Sequence, residues 1–146
     1  MRQEGLSLIK IHCDQGRQLI TLYDTYLGKY IVAKQKRSGA NEYKAIILAL
    51  QYIETKYNGE SIQILSDGKS EVDFLNGKVK HHINKIKNYA EIAQKKLSGM
   101  SSNHDIIISW IPRKSNIAGL FLEKNNTTRH DTIFSKPDVL QMEYPK

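Results

Sequence analysis

The chain has 146 residues, 40% of them hydrophobic and 25% charged, a composition typical of one globular domain with a buried core. Lysine and arginine outnumber acidic residues 22 to 15, so the net charge of +7 favours a polyanionic partner, nucleic acid before a membrane surface. No stretch approaches the roughly 18 consecutive apolar residues of a membrane span, no secretion signal opens the chain, and the single cysteine excludes an internal disulfide. We therefore expect a soluble cytoplasmic protein with no membrane contact, in which Cys13 is a buried thiol.

Three strands are predicted in the first third of the chain. They cover residues 6–14, 18–24 and 29–34, which are rich in β-branched and aromatic side chains. The segments between them are short and contain Gly16 and Gly28, and such short connections favour an antiparallel meander.

A helix is predicted to follow this meander. Asn41 is a typical N-cap residue, Glu42 falls in the first turn, and apolar residues at helical spacing continue to about Tyr57. The helix then ends, because Asn58 and Gly59 form a common stop signal.

The second half of the chain alternates strands and helices. We predict a strand over residues 61–66, helices over about 69–75 and 81–97, a strand over 105–111 and a last helix over about 116–124. This order predicts an α/β domain, residues 1–124, in which three antiparallel strands and two further strands form a five-stranded mixed sheet flanked by helices. Residues 125–146 have little periodicity and are predicted to form a tail or wrapping arm, which covers a sheet edge, pairs with a second copy or stays disordered.

Three acidic residues lie at the ends of predicted core elements: Asp14 closes the first strand, Glu42 opens the first helix and Asp67 closes the fourth strand. Because ligand sites gather at the carboxyl ends of parallel strands, we expect these side chains to converge. Converging carboxylates raise one another's pKa unless a cation neutralises them, and oxygen ligands suit Mg²⁺ or Mn²⁺. Two such ions would activate a water and stabilise the leaving oxygen of a phosphodiester. Spacing alone leaves a second interpretation open, in which the two aspartates cap turns and the glutamate complements the helix dipole.

Four short motifs occur in order along residues 6–124. They are IHCD at residues 11–14, GANEYKAIILAL at 39–50, ILSDGKSEVDFLNG at 64–77 and WIPRKSNIA at 110–118. Together with the order of the elements, they resemble the ribonuclease H family, most closely its reverse-transcriptase-like and archaeal-type branch. The resemblance implies the ribonuclease H-like fold and metal-dependent hydrolysis of the RNA strand of RNA–DNA hybrids.

The resemblance also implies roles for single residues. Asp14, Glu42 and Asp67 match three of the four acids that bind metal and catalyse the reaction in the family. Where the fourth acid is expected, on the last helix, this chain has Gly119. Glu123 lies one helical turn further along the same face and offers a partial replacement.

Two smaller departures accompany the missing acid. The family usually has glycine directly after the first aspartate and serine after the third, where this chain has Gln15 and Gly68. These differences leave open whether the site is fully active, active at a reduced rate or with a preference for Mn²⁺, or inactive.

A basic surface is predicted beside the acids. Residues 78–96 contain six lysines and two histidines against one acid. As phosphate contacts these lysines would make binding steeply salt-dependent, whereas the alternative is a solubilising helix face. The candidate nucleic-acid contacts are Asn41, Lys78, Lys80, Lys85, Lys87, Arg113 and Lys114. Trp110, at the end of the fifth strand, is interpreted as a core residue rather than a platform for base stacking.

Three functions are compatible with these features. The first is an endonuclease for the RNA strand of RNA–DNA hybrids. The second, suggested by Gly119, is a catalytically degenerate module that binds nucleic acid or a protein partner without turnover. The third is a nuclease for DNA or structured RNA, because a fold does not fix the substrate.

Overall fold

The structure is a computed structural model that describes residues 8–16, 19–34, 42–79, 84–125 and 139–142. In chain order its elements are β1 (Ile9–Gln15), β2 (Leu19–Asp24), β3 (Lys29–Lys34), α1 (Glu42–Lys56), β4 (Ser61–Ser66), α2 (Lys69–Leu75), α3 (Asn84–Met100), β5 (Asp105–Trp110), a short 3-10 helix (Arg113–Ser115), α4 (Ile117–Asn125) and β6 (Val139–Gln141). The strands and helices predicted from the sequence are therefore present. Residues 6–7, 18 and 81–83, where three of them were predicted to begin, lie outside the described residues, and the remaining ends differ by a few residues at most.

The strands form one mixed sheet in the order β5-β4-β1-β2-β3-β6. β1, β2 and β3 pair antiparallel, which confirms the predicted meander. β4 and β5 add to the other side of β1 as parallel strands, so the predicted five-stranded mixed sheet is confirmed as well. As a result, the carboxyl ends of β1, β4 and β5 lie at the same edge of the sheet.

A sixth strand extends the sheet beyond the prediction. β6, within the segment predicted as a tail, runs parallel to β3 and pairs Leu140 with Ile31. Just beyond the strand, the backbone N–H of Met142 donates to the carbonyl of Val32 at 2.9 Å. These residues thus cover the outer edge of β3, one of the alternatives for the tail.

The two faces of the sheet are covered by different helices. α1 and α3 pack on one face, where α1 buries every residue from Tyr43 to Leu50 together with the inward side chains of β1 and β4. Cys13 lies in this core and is fully buried, as predicted. α4 packs on the opposite face, where Phe121 and Leu122 contact Leu19 and Val32.

α1 and α3 run in the same direction along the sheet. Near their first turns, the Lys44 ammonium lies 5.0 Å from the centre of the Tyr89 ring. Near their last turns, Lys96 and Glu54 form an ion pair of 2.8 Å. The first turn of α3 therefore lies at the same end of the molecule as Glu42. None of the described helices is long and apolar enough to cross a membrane.

Candidate active site

Three carboxylates meet at the carboxyl edge of the parallel strands. Asp14 lies near the end of β1, Asp67 directly follows β4, and Glu42 is the first residue of α1. One oxygen from each side chain lies within 4.8 Å of the other two. The convergence expected from the sequence is therefore present, because parallel pairing of β1 with β4 puts both aspartates beside the first turn of α1.

Burial and mutual repulsion disfavour simultaneous ionisation of all three carboxyl groups in this cluster. Asp14 is only 4% exposed, and burial together with the charge of Asp67 raises its pKa to about 6. Burial also raises the pKa of Glu42 well above its usual range, and the nearby charge of Asp14 adds to this. A cation at the cluster would relieve both costs, since it favours the ionised carboxylates.

Ser66 orients the Glu42 carboxylate. Its hydroxyl, which is fully buried, donates to Oε2 of Glu42 at 2.9 Å and accepts the backbone N–H of Gly68 at 3.0 Å. The last side chain of β4 thereby connects the first turn of α1 to the turn after Asp67.

Asn116 orients Asp67, and sequence reasoning did not assign it a role. Its fully buried amide donates to the carbonyl of Cys13 at 2.9 Å and to Oδ2 of Asp67 at 3.4 Å. Its Oδ1 accepts the backbone N–H groups of Ala118 and Gly119, as an N-cap residue does. The signal in the sequence was an asparagine at the first position of a predicted helix, within the last of the four motifs.

Gly119 lies directly against the cluster. A Cβ atom at this position would be 2.9 Å from Oδ2 of Asp14, closer than such atoms normally approach. The α4 backbone therefore closes this side of the site without contributing a carboxylate.

Glu123, which was expected to replace the missing fourth acid, pairs with Arg113 instead. It is 52% exposed, and its Oε2 accepts the Nε–H of Arg113 at 3.2 Å. Within the described part of the chain, the carboxylates grouped closely enough to hold a metal ion are those of Asp14, Glu42 and Asp67. The expectation that Glu123 substitutes for the missing acid is therefore not supported.

A further acid, Glu71, approaches the cluster from α2. A Cβ at Gly68 would lie 2.6 Å from Oε1 of Glu71 and 2.7 Å from Cγ of Glu42. Both glutamate side chains therefore occupy the space that a Cβ at position 68 would need. Sequence reasoning missed Glu71 because one more acid in a short helix resembles an ordinary solvent-exposed residue.

The structure describes the side chains of only some of the residues predicted to contact nucleic acid. Lys78 and Lys114 are exposed, and so is Arg113, whose Nη1 lies 3.8 Å from Oδ2 of Asp67. Lys85 and Lys87 belong to the first turn of α3, at the end of the molecule that carries the acids, but their side chains lie outside the described part. Asn41 and Lys80 also lie outside the described residues.

Trp110 is not a core residue, so that interpretation was wrong. Its indole is 46% exposed and donates its N–H to the carbonyl of Asp67 at 3.2 Å. The reason is that β5 is an edge strand, and its last residue lies beside the turn that carries Asp67. The ring therefore lies on the surface next to the acids.

Comparison with known proteins agrees with this architecture. No protein-family model and no curated protein sequence matches the chain. RNase H1 from the halophilic archaeon Halobacterium salinarum superposes with a TM-score of 0.58 at 18% identity, over 80% of this chain and 94% of that one. The N-terminal RNase H domain of a Mycobacterium tuberculosis protein gives a TM-score of 0.56 at 17% identity, over 84% and 99% of the two chains. LC11-RNase H1, solved in complex with an RNA/DNA hybrid, gives 0.57 at 22% identity, over 75% and 88%.

These likenesses show the fold of the chain. It has the ribonuclease H-like fold, with a mixed sheet and flanking helices.

Proposed function

We propose that this protein is a metal-dependent endonuclease that hydrolyses the RNA strand of RNA–DNA hybrids. The observation that carries this proposal is the convergence of Asp14, Glu42 and Asp67 at the carboxyl edge of a ribonuclease H-like sheet. A neighbour of the same fold is known in complex with an RNA/DNA hybrid, which favours that substrate here. The single, buried Cys13 suits a reducing compartment, and we place the protein in the cytoplasm.

The residues of the cluster fit a divalent cation. All three ligands are carboxylates, which suit Mg²⁺ or Mn²⁺. The raised pKa values of Asp14 and Glu42 mean that the folded chain holds these acids at an energetic cost that a cation would offset. When bound, such an ion supplies Lewis-acid chemistry: it promotes ionisation of the attacking water and offsets charge that develops on the phosphate.

The chain itself supplies position and charge. Ser66 and Asn116 fix the carboxylates of Glu42 and Asp67 through hydrogen bonds, so that the site does not have to reorganise when substrate binds. Arg113 offers an exposed guanidinium beside Asp67, a group suited to paired contacts with phosphate oxygens. The exposed ring of Trp110 adds an aromatic surface at the same edge.

A cleavage assay tests the proposal. The full chain is incubated with a hybrid whose RNA strand is labelled, in Mg²⁺ or Mn²⁺, and we expect internal cuts in the RNA. Asp67→Asn should lower the rate by about 100-fold or more because it removes a metal ligand. Asp105→Asn is the matched control, since Asp105 is an exposed acid at the opposite end of β5. The proposal fails if the unmodified chain does not cut, or if Asp67→Asn cuts equally well.

The position of Gly119 supports a second candidate function, a degenerate module that binds nucleic acid or a protein partner without turnover. Gly119 contributes no carboxylate on the side of Asp14 where the resemblance expects one. This candidate predicts salt-sensitive binding of the hybrid without cleavage, and cleavage that appears only in Gly119→Asp. Parallel assays with duplex DNA and structured RNA identify a nuclease with another substrate.

A further inference from the structure

Two of the three carboxylates of the site accept hydrogen bonds from neighbouring side chains of the protein. Oε2 of Glu42 accepts the Ser66 hydroxyl. Oδ2 of Asp67 accepts the Asn116 amide at 3.4 Å and lies 3.8 Å from the Arg113 guanidinium. One oxygen from each of Asp14, Glu42 and Asp67 lies within 4.8 Å of the other two, so these three oxygens can surround one cation.

The α4 side of the cluster provides no further carboxylate among the described residues. At Gly119 the backbone lies so close to Asp14 that a Cβ would be 2.9 Å from its Oδ2. Both ends of the Asn116 amide are already hydrogen-bonded, to Cys13 and Asp67 on one side and to the α4 backbone on the other. Glu123 is paired with Arg113. Among the residues that the structure describes, a second cation next to Asp14 would therefore lack a carboxylate ligand of its own.

A fixed positive charge lies beside the cluster instead. The Arg113 side chain is 62% exposed, and Glu123 and Asp67 flank it. At this distance the positive charge of the guanidinium opposes the approach of a second divalent cation to Asp67. Because its contact with Glu123 is on the surface, exchanging that partner for a phosphate costs little.

We infer that the site takes one divalent cation, held by Asp14, Glu42 and Asp67, and that Arg113 supplies the second positive charge to the substrate phosphate. The pair of ions expected from the sequence is thus replaced by one ion and one arginine. This inference rests on the proposed function, because it concerns how the same site contacts a phosphodiester.

The number of bound ions is the first test. Mn²⁺ alone is titrated into the full chain by calorimetry, and the bound metal is examined by electron paramagnetic resonance. We expect one Mn²⁺ per chain with the spectrum of an isolated ion. Two ions per chain with a spin-coupled spectrum, the signature of a pair about 4 Å apart, would overturn the inference, as would an absence of binding.

The variants of Gly119 sharpen this test. Gly119→Asp adds a carboxylate on the α4 side and should raise the count to two Mn²⁺ per chain. Gly119→Ala is the matched control: it imposes the same close contact on Asp14 without a ligand, so the count should stay at one. If both variants bind the same number of ions, the missing carboxylate does not set the stoichiometry and the inference is wrong.

The role of Arg113 is tested without any variant at Gly119. Hybrid binding is measured in EDTA at several salt concentrations, so that no turnover occurs. Arg113→Gln should lower the slope of log affinity against log salt by about 0.9, the value for one phosphate that is no longer neutralised, and Arg113→Lys should restore it. Glu123→Gln should strengthen binding, because it frees the guanidinium. An unchanged slope in Arg113→Gln would overturn the assignment.

The proposed nuclease and the single-cation inference fail in different ways. A chain that binds one Mn²⁺ and has the Arg113-dependent slope but cuts no nucleic acid keeps this inference and contradicts the proposed nuclease. A chain that cuts the hybrid but binds a coupled pair of ions keeps the nuclease and contradicts the inference.

Discussion

At the scale of single residues, Asn116 connects the most distant parts of the site. Its side chain joins β1, the turn after β4 and the first turn of α4 through hydrogen bonds made in a fully buried position. Removing a buried amide leaves its partners without hydrogen bonds, and removing a group that orients a metal ligand weakens the binding of the metal.

Asn116→Ala should therefore reduce both stability and metal binding. We expect a loss of about 1–3 kcal/mol in the free energy of unfolding and a fall of about tenfold in Mn²⁺ affinity. Asn76→Ala is the matched control, because the Asn76 amide donates to the carbonyl of Ile108 at 2.9 Å, outside the carboxylate cluster. Urea unfolding and Mn²⁺ titration of both variants check this: a loss of metal affinity in both, or in neither, would contradict the role of Asn116.

The Asp14 carboxyl group should destabilise the metal-free protein at neutral and higher pH. Its pKa is raised from 3.8 to about 6, by burial first and then by the charge of Asp67. The folded chain therefore binds this proton more tightly than the unfolded chain, so this contribution to stability rises as the pH falls through about 6 toward 4.

Asp14→Asn should consequently stabilise the protein in EDTA. The gain at about pH 8 should be on the order of 2 kcal/mol, and it should become small only below about pH 4, where Asp14 is protonated in the unfolded chain as well as in the folded one. Unfolding in urea at both pH values measures it, with Asp105→Asn as an exposed control that should show no gain. If Asp14→Asn is no more stable than the native chain at the higher pH, burial of the Asp14 carboxylate does not destabilise the folded protein.

The residues of the site were predictable to different degrees. The proximity of Asp14 and Asp67 was predictable because each lies at or next to the end of a strand, a position that the alternation of side chains makes visible. Ser66 and Glu71 were not found, because their roles depend on contacts across elements and on the missing Cβ of Gly68. Trp110 was misplaced because the sequence does not reveal that β5 is an edge strand.

At the scale of elements, β6 extends the sheet along β3. The strand has only three residues, too few for a periodic pattern to reveal, which explains why the sequence predicted only a tail. The edge it covers would otherwise present unpaired backbone groups of β3 to solvent.

Leu140→Pro should remove this pairing. Proline lacks the backbone N–H that a strand requires, so we expect a loss on the order of 1–2 kcal/mol. Leu140→Ala keeps the backbone and removes a side chain that is already 38% exposed, so it should cost clearly less. Thermal unfolding of both variants provides the comparison, and equal losses would mean that the side chain rather than the pairing matters.

At the scale of the whole molecule, the lysines lie at different distances from the acidic cluster, and we expect only the nearer ones to contact a bound nucleic acid. α1 and α3 run in parallel, so Lys85 and Lys87 belong to the turn of α3 nearest the acidic end of the molecule. Lys96 lies at the opposite end, where it pairs with Glu54. The net charge of +7 was visible in the sequence, but the direction of α3 relative to α1 was not.

Neutralising lysines at the two ends should therefore have different effects. Lys85→Gln with Lys87→Gln should weaken hybrid binding and lower the salt slope by about 0.9 for each lysine that binds a phosphate. Lys56→Gln with Lys95→Gln removes the same charge from exposed positions in the C-terminal halves of α1 and α3 and should leave the slope nearly unchanged. Fluorescence anisotropy in EDTA at several salt concentrations measures both. Equal slopes would show that the lysines act only through net charge.

We propose that Asp14, Glu42 and Asp67 bind a divalent cation together. Anomalous diffraction from crystals grown with Mn²⁺ tests it most directly, because the signal locates the metal itself. We predict one peak about 2 Å from an oxygen of each of the three carboxylates. No peak among these side chains, or a peak held elsewhere on the molecule, would contradict it.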